Sequence, residues 1–190
     1  MKLETKRLIL RKPRKSDWKD IVEGINDLNI AKYLVKVPFP YKKNDAEEYI
    51  IRTLKNWAEK EKEKYSFLIE LKSEKKVIGG ITLHNLSKQH KTAMTGAWIN
   101  KKFQRKGYIT EAKIILHDFA FKKLKLRKIE TEVSTKNKSS NAAIKKLGFK
   151  LEGVSRKTAI SLADGEIFDN NCYGLLKEEW IKIRPKLVRK

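Results

Sequence analysis

The chain has 190 residues, of which 40% are hydrophobic and 9% aromatic, so despite 36% charged residues it reads as one folded domain over residues 1–190 rather than a disordered segment. Lys and Arg outnumber Asp and Glu by 45 to 23, and the resulting +22 predicts attraction to polyanions such as RNA, ribosomes or a phosphate-rich cofactor, and counts against strongly cationic acceptors. No apolar run has the roughly 18 residues of a membrane span, residues 1–11 lack a signal peptide's unbroken apolar centre, and the one cysteine, Cys172, has neither a disulfide partner nor metal-site spacing, so a cytoplasmic protein without a metal is expected.

Residues 6–11 alternate in part, with Leu8 and Leu10 on one face, and predict a first strand. Ser16 is an N-cap type ahead of Trp18, Ile21, Val22 and Ile25, which recur at helical spacing. A short helix is expected over 29–35. Val37, Pro38, Phe39, Pro40 and Tyr41 cannot be regular helix, and read as a loop that either packs under the sheet or lines a cleft. Asn44 to Glu47 resembles a capping box for a helix bearing Tyr49, Ile50, Leu54, Trp57 and Ala58, whose alternating charges at 59–64 suit a solvated face with Glu59–Lys62 and Glu61–Lys64 pairs.

Residues 65–71 and 76–85 predict a hairpin, with Gly79 and Gly80 marking a bulge or a close backbone approach. A strand follows at 92–99. His84 is a general-base type, although a lone histidine also serves structure. A helix over 110–124 buries Ala112, Ile115, Leu116, Phe119 and Ala120, and the strand at 128–134 then pairs in parallel through a right-handed crossover. Ser139 or Ser140 caps a further helix that ends at Leu147 and Gly148. Strands over 149–154 and 168–176 flank a turn at Asp164 and Gly165, and a helix over 177–184 closes at Pro185.

The stretch 103–112 joins a strand to a helix through a basic turn that holds Arg105, Lys106 and Gly107. Amides at a helix start lack intrahelical partners and carry the dipole's positive end, so this turn suits a phosphate. An ordinary basic cap is the other reading.

Three motifs, in this order, resemble the GNAT superfamily of acetyl-CoA-dependent N-acetyltransferases, and within it the branch that acetylates ribosomal-protein N-termini. The first is Gln104, Arg105, Lys106, Gly107, Tyr108, Ile109, similar to the family's Gln/Arg, two residues, Gly, one residue, Gly/Ala; Ile109 departs from it, and Thr110, Glu111, Ala112 follow as in that branch. The second is Asn137 to Ser140 with Leu147, Gly148, Phe149 and then Glu152, Gly153. The third is the opening strand from Leu3 to Arg11.

The resemblance implies an α/β fold: a central mixed, mostly antiparallel sheet of six to seven strands, splayed at the acetyl-CoA site and flanked by helices on both faces. It implies that the pantetheine arm pairs beside Trp98 and Ile99, that residues 105–110 with Gln104 hold the pyrophosphate, that Asn137 meets the arm, and that Ser140 lies near the thioester. Ser140 then either protonates the leaving thiolate or caps its helix. Glu132, five residues before Asn137, has the spacing of the base in one bacterial N-terminal alanine acetyltransferase type, although that type's acidic tyrosine is Ile144 here; an exposed strand glutamate is the alternative. Asp164, Glu166 and Asp169 are further candidates. The expected reaction is direct acetyl transfer to a primary amine, with a protein N-terminus as acceptor, a ribosome-associated substrate as partner, and a monomer or homodimer as the assembly. A small-molecule amine acetyltransferase and a non-catalytic RNA-binding module are the alternatives.

Overall fold

The computed structural model describes residues 1–188, and its strands are β1 (Lys2–Glu4), β2 (Leu8–Arg11), β3 (Tyr65–Leu71), β4 (Lys76–Ser87), β5 (Thr92–Ile99), β6 (Lys128–Ser134), β7 (Lys150–Ile160) and β8 (Ile167–Leu176). They form one eight-stranded sheet in the order β1-β2-β3-β4-β5-β6-β8-β7. Every pairing is antiparallel except β5 with β6. The helices are α1 (Trp18–Ile25), α2 (Leu28–Ala31), α3 (Lys43–Ala58), α4 (Tyr108–Asp118), α5 (Lys138–Lys146) and α6 (Lys177–Val188). The sheet therefore has more strands than the expected six to seven. The addition is β1, a three-residue edge piece paired as Lys2↔Arg11 to Glu4↔Ile9, too short to show a period.

Strand alternation divides the core between the two faces. Leu8, Leu10, Phe67, Ile69, Ile81, Leu83, Ala93 and Ile129 pack with Ala112, Leu116 and Ala120 of α4. On the other face, Leu68 and Val77 meet Ile21 and Ile25 of α1 and Ala46 and Ile50 of α3. Leu8 and Leu10 are completely buried. At about 1.5–3 kcal/mol each, they fix the register of a strand only four residues long, because a one-residue slip would expose both.

Several local expectations are corrected. Ser16 does not cap α1: residues 15–17 form a 3-10 turn, and the buried Asp17 carboxylate accepts from Arg14 N (2.6 Å) and from the Arg11 guanidinium (2.8 and 2.9 Å), which also bonds Glu70 (2.5 Å). α3 starts from Lys42, whose N–H donates to Asp45 (2.7 Å), two residues before the predicted cap. Neither predicted charge pair at 59–64 forms; Lys62 Nζ donates to the Glu59 carbonyl and Glu61 pairs with Lys88. α5 is capped by Asn137, not by a serine. Pro185 lies inside α6 rather than ending it; the carbonyl that its missing N–H would have served belongs to Ile181, which is 61% exposed and open to water. The proline-rich loop splits its roles, with Tyr41 buried against α1 and α3 and Phe39 exposed.

The Gly79–Gly80 reading holds in both its forms. The β3–β4 register slips between Ile69 and Glu70, and Trp98 covers the pair, with its carbonyl 2.5 Å from where a Cβ on Gly79 would sit. Gly79→Ala must therefore push backbone against backbone. It is expected to cost about 1–3 kcal/mol, read as a lowered midpoint in urea unfolding with an unchanged slope.

α4 buries two unexpected side chains, Lys113 and His117. His117 has no exposed surface, packs edge-on to Phe149 (5.4 Å) and Trp180 (5.1 Å), and finds no hydrogen-bond partner for either ring nitrogen. Burial first, then the Lys113 charge, pushes its pKa down to about 3. Below the ordinary histidine value near 6.5 the unfolded chain takes up a proton that the fold refuses, so stability falls as pH drops from about 6.5 toward 3, by up to about 1.4 kcal/mol per unit. His117→Phe is expected to raise the melting temperature and to flatten this pH dependence.

Candidate active site

β5 and β6 begin as neighbours and then part. Their parallel pairs stop at Thr92↔Lys128, Ala93↔Ile129 and Met94↔Glu130, although both strands run on. The last link is a side chain, the Thr131 hydroxyl donating to the Thr95 carbonyl (2.8 Å). Alternation decides which backbone groups face the gap. Asn100 N donates to Ile78 O on β4 (2.9 Å), and Gly80↔Trp98 keeps the same register, so Trp98 spends its backbone on β4. Ala97 and Ile99 point to the open side, where the Ile99 carbonyl already accepts from Gln104 Nε2 (3.2 Å). Trp98 contributes its ring instead, which packs on Gly24 and Gly80 and stiffens the strand.

The chain leaves β5 through residues 100–107 and enters α4. Arg105 and Gly107 both adopt positive φ (62° and 79°), and Gly107 is the N-cap. Glu111 N is the first amide of the helix to bond within it, to Gly107 O (3.0 Å). The amides of Gly107, Tyr108, Ile109 and Thr110 have no protein partner among the described residues. Four donors at the positive end of a helix, beside exposed Arg105 and Lys106, make a cradle suited to an anion.

The sequence reading missed what holds this cradle. Arg7 donates to Lys106 O (3.1 Å), lies 4.4 Å over the Tyr108 ring and pairs with Glu111 (2.6 Å). Glu111 also accepts from the Thr5 hydroxyl (2.5 Å). Burial alone would raise the Glu111 pKa; the Thr5 and Arg7 hydrogen bonds outweigh it and keep the group below the usual carboxylate value. Its charge is thus neutralised within the protein, and the helix end is left for an external anion. Nothing local signals this pairing, because the partners lie 104 residues apart.

α5 opens on the other side of the gap. Asn137 Oδ1 accepts from Ser140 N and from Ser139 Oγ (3.1 Å each), so Asn137 does the capping and the Ser140 hydroxyl is free of that task. Asn141, also missed, donates to the carbonyls of Ser134 and Asn137 (2.8 Å each) and accepts from Tyr173 Oη and Asn171 Nδ2 (2.7 Å each). It pins the turn where β6 gives way to α5. An asparagine inside a helical pattern carries no mark of that role.

The face of the sheet opposite α4 carries the remaining candidates. Glu132 is exposed on β6, accepts from Asn170 Nδ2 (3.2 Å), and has no cationic partner among the described ion pairs. His84 stands two strands away on the same face; burial above all, with nearby Lys64 and Lys36, lowers its pKa against the opposing effects of Asn85 and Glu132. The other acids are occupied. Glu166 pairs with Lys136, Asp164 accepts from Glu166 N (3.2 Å) within its own turn, and Asp169 accepts from Lys157 N (2.7 Å). The β7–β8 loop meets the α2–α3 loop: Leu162 N donates to Val35 O (3.1 Å), and Tyr33 packs edge-on to Phe168 (6.4 Å). These contacts join the two loops into a collar. Cys172 keeps its plain structural place, beside Ser155 Oγ (3.2 Å) on β8.

An opened strand edge that leads to a helix end with unpartnered amides suits a protein that binds a long-armed anionic carrier. The chain belongs to the GNAT acetyltransferases: the family described as "Acetyltransferase (GNAT) domain" matches residues 7–150. The uncharacterized N-acetyltransferase YnaD of Bacillus subtilis is 30% identical over 180 residues, covering 95% of this chain and 99% of that protein. YdaF of Bacillus subtilis, provisionally named a ribosomal N-acetyltransferase, is 37% identical over 102 residues, 54% of this chain and 55% of that one. Among solved structures, a GNAT-family acetyltransferase from Bacillus anthracis superposes with a TM-score of 0.80 at 25% identity, covering 94% and 99% of the two chains. The chain is an acetyl-CoA-dependent N-acetyltransferase, and no described helix is long and apolar enough to cross a membrane.

Proposed function

We propose that this enzyme, as one cytoplasmic domain over residues 1–190, acetylates the N-terminal α-amine of proteins, with ribosomal proteins as the favoured class. Acetyl-CoA supplies an activated acyl group. The amides of residues 107–110, with Arg105, Lys106 and Gln104, hold its diphosphate, Ile99 and Asn137 hold its arm, and Ser140 stands at the thioester end. The acceptor nitrogen forms the new bond to the acyl carbon as the carbon–sulfur bond breaks. The ammonium loses one proton to solvent before it attacks; as the carbon–nitrogen bond forms Glu132 takes a second through water, and Ser140 gives its hydroxyl proton to the departing sulfur and regains one from water, leaving the amide with one N–H.

The collar between Leu162 and Val35 argues against an internal lysine, and the likeness to YdaF carries the choice of a protein N-terminus over a small amine. A chain end or a small amine can enter a closed collar, whereas an internal lysine, flanked by chain on both sides, cannot. Amine chemistry points the same way. An α-amine near pKa 7.7–8.0 is about 10% neutral at pH 7, against less than about 0.1% of a lysine near 10.4, so the modest base offered by one exposed carboxylate suffices. The name of YdaF and the net charge of +22, suited to meeting substrates on the ribosome, support the ribosomal class. A small-molecule amine is the second reading, favoured by the same collar. Incubation with acetyl-CoA and a panel of N-terminal peptides, amino acids and polyamines, followed by free thiol release, separates the two. Turnover on peptides is expected; turnover on the small amines alone would overturn the assignment.

A further inference from the structure

Three cations near the collar have no partner that would neutralise them. Lys64 immediately precedes β3, and the ladder Tyr65↔Leu83 extended by one residue sets it opposite His84. Leu83 is buried against α4, so Lys64 and His84 share the acceptor face. Both are half-buried. Burial, then Arg52 on α3 and Lys36 on the α2–α3 loop, holds Lys64 below the usual lysine value, and no carboxylate contributes. None of Lys36, Arg52 and Lys64 forms an ion pair or a side-chain hydrogen bond among the described residues; of the acids on this face, Glu130 and Glu152 are already joined to Lys128, and Glu132, on β6 two strands from His84, is the unpaired carboxylate that acts on it. Lys36 adjoins Val35, the residue that closes the collar.

Lys64 is half-buried and Lys36 and Arg52 are exposed, so water screens much of their repulsion, and the residual cost falls on Lys64 beside His84. An anion brought in by the ligand would remove that cost. The position says which part of the ligand brings it. His84 lies on β4, one strand beyond β5, and the gap opens between β5 and β6, so the cluster stands about 5–7 Å across the sheet from the gap. That distance is reached by the second or third residue of an extended peptide whose first residue sits at the gap.

Resting on the N-terminal reading above, we propose that the acceptor carries an acidic side chain at its second or third residue, and that Lys36, Arg52 and Lys64, floored by His84, form the pocket that receives it. The pocket then selects among N-termini and leaves the transfer chemistry untouched.

The test uses matched hexapeptides with Ser or Ala first and Asp, Asn or phosphoserine at the second or third position, with acetyl-CoA and the full chain. The Asp peptides are expected to exceed their Asn partners at least about tenfold in kcat/KM. Lys64→Met and Arg52→Met should each reduce that ratio below about threefold, as should 0.5 M salt. Equal rates for Asp and Asn, or a ratio unchanged in both variants, would overturn the proposal, and phosphoserine surpassing Asp tenfold would reassign the pocket to phosphate. A second readout does not depend on turnover. N-acetylated Asp peptide added to the CoA-loaded protein should move the His84 ring resonances, and the Asn peptide should not. If no peptide is turned over, the N-terminal reading fails, and the His84 response alone decides for or against an anion pocket.

Discussion

Gly107→Val is expected to weaken acetyl-CoA binding at least about 100-fold in a calorimetric titration while the protein still melts as a folded unit. Gly107 holds φ at 79° as the N-cap of α4, a region a β-branched residue enters at a cost of about 1–2 kcal/mol. Valine relieves that strain by rotating the peptide, which turns the amides of residues 107 and 108 away from the ligand. Hydrogen bonds to a charged group contribute about 1.5–3 kcal/mol each, so losing two gives about 3–6 kcal/mol, a factor of 100 or more. Stability changes far less, because the nearest atom to an added Cβ is Arg7 Nη2 at 3.5 Å, an ordinary contact, and no backbone is struck. An affinity within threefold of the parent would show that these amides do not hold the carrier.

Glu132→Gln is the second large effect. The substitution keeps the Asn170 contact and the strand's shape but removes the proton acceptor. With acetyl-CoA and a peptide acceptor, kcat at pH 7 should fall about 100-fold, within the range of a lost general base, with little change in either KM. The variant's rate should still climb tenfold per pH unit up to the acceptor's own pKa near 8, because only amine already neutral in solution can react. A glutamate that serves only as an exposed strand residue would give a variant within threefold of the parent. Ser140→Ala offers a contrast, since its hydroxyl does not cap α5 and its loss should not lower stability.

The parts of this fold that follow from short-range pattern were readable in the chain itself. β3, β5 and β6 fall where alternation places them, the helix after Lys106 begins at the basic turn, and Gly148 ends α5 with φ at 91°. The parallel neighbours β5 and β6 follow from an intervening helix and the handedness of its crossover. What could not be read depends on distant partners. Arg7 and Glu111 are ordinary charges until the fold joins them, and Asn141 is an unremarkable helix residue until β8 brings Tyr173 to it. Caps were misplaced by one to three residues, because Asp17, Asp45 and Asn137 compete with nearby Ser16, Asn44 and Ser139, and only backbone geometry decides among them. The role of Trp98 turned on strand phase: the family resemblance sets it with Ile99 beside the carrier, while the register gives its backbone to β4 and that of Ile99 to the gap.

The decisive observation is the response of the α4 amides to two ligands that differ only in the nucleotide end. In nitrogen-labelled protein, CoA should shift the amide resonances of Tyr108, Ile109 and Thr110 strongly and saturably, and pantetheine, which lacks the diphosphate, should leave them in place while perturbing Ile99. Equal shifts from both compounds, or none from CoA at millimolar concentration, would contradict the assignment of this helix end as the carrier's anchor.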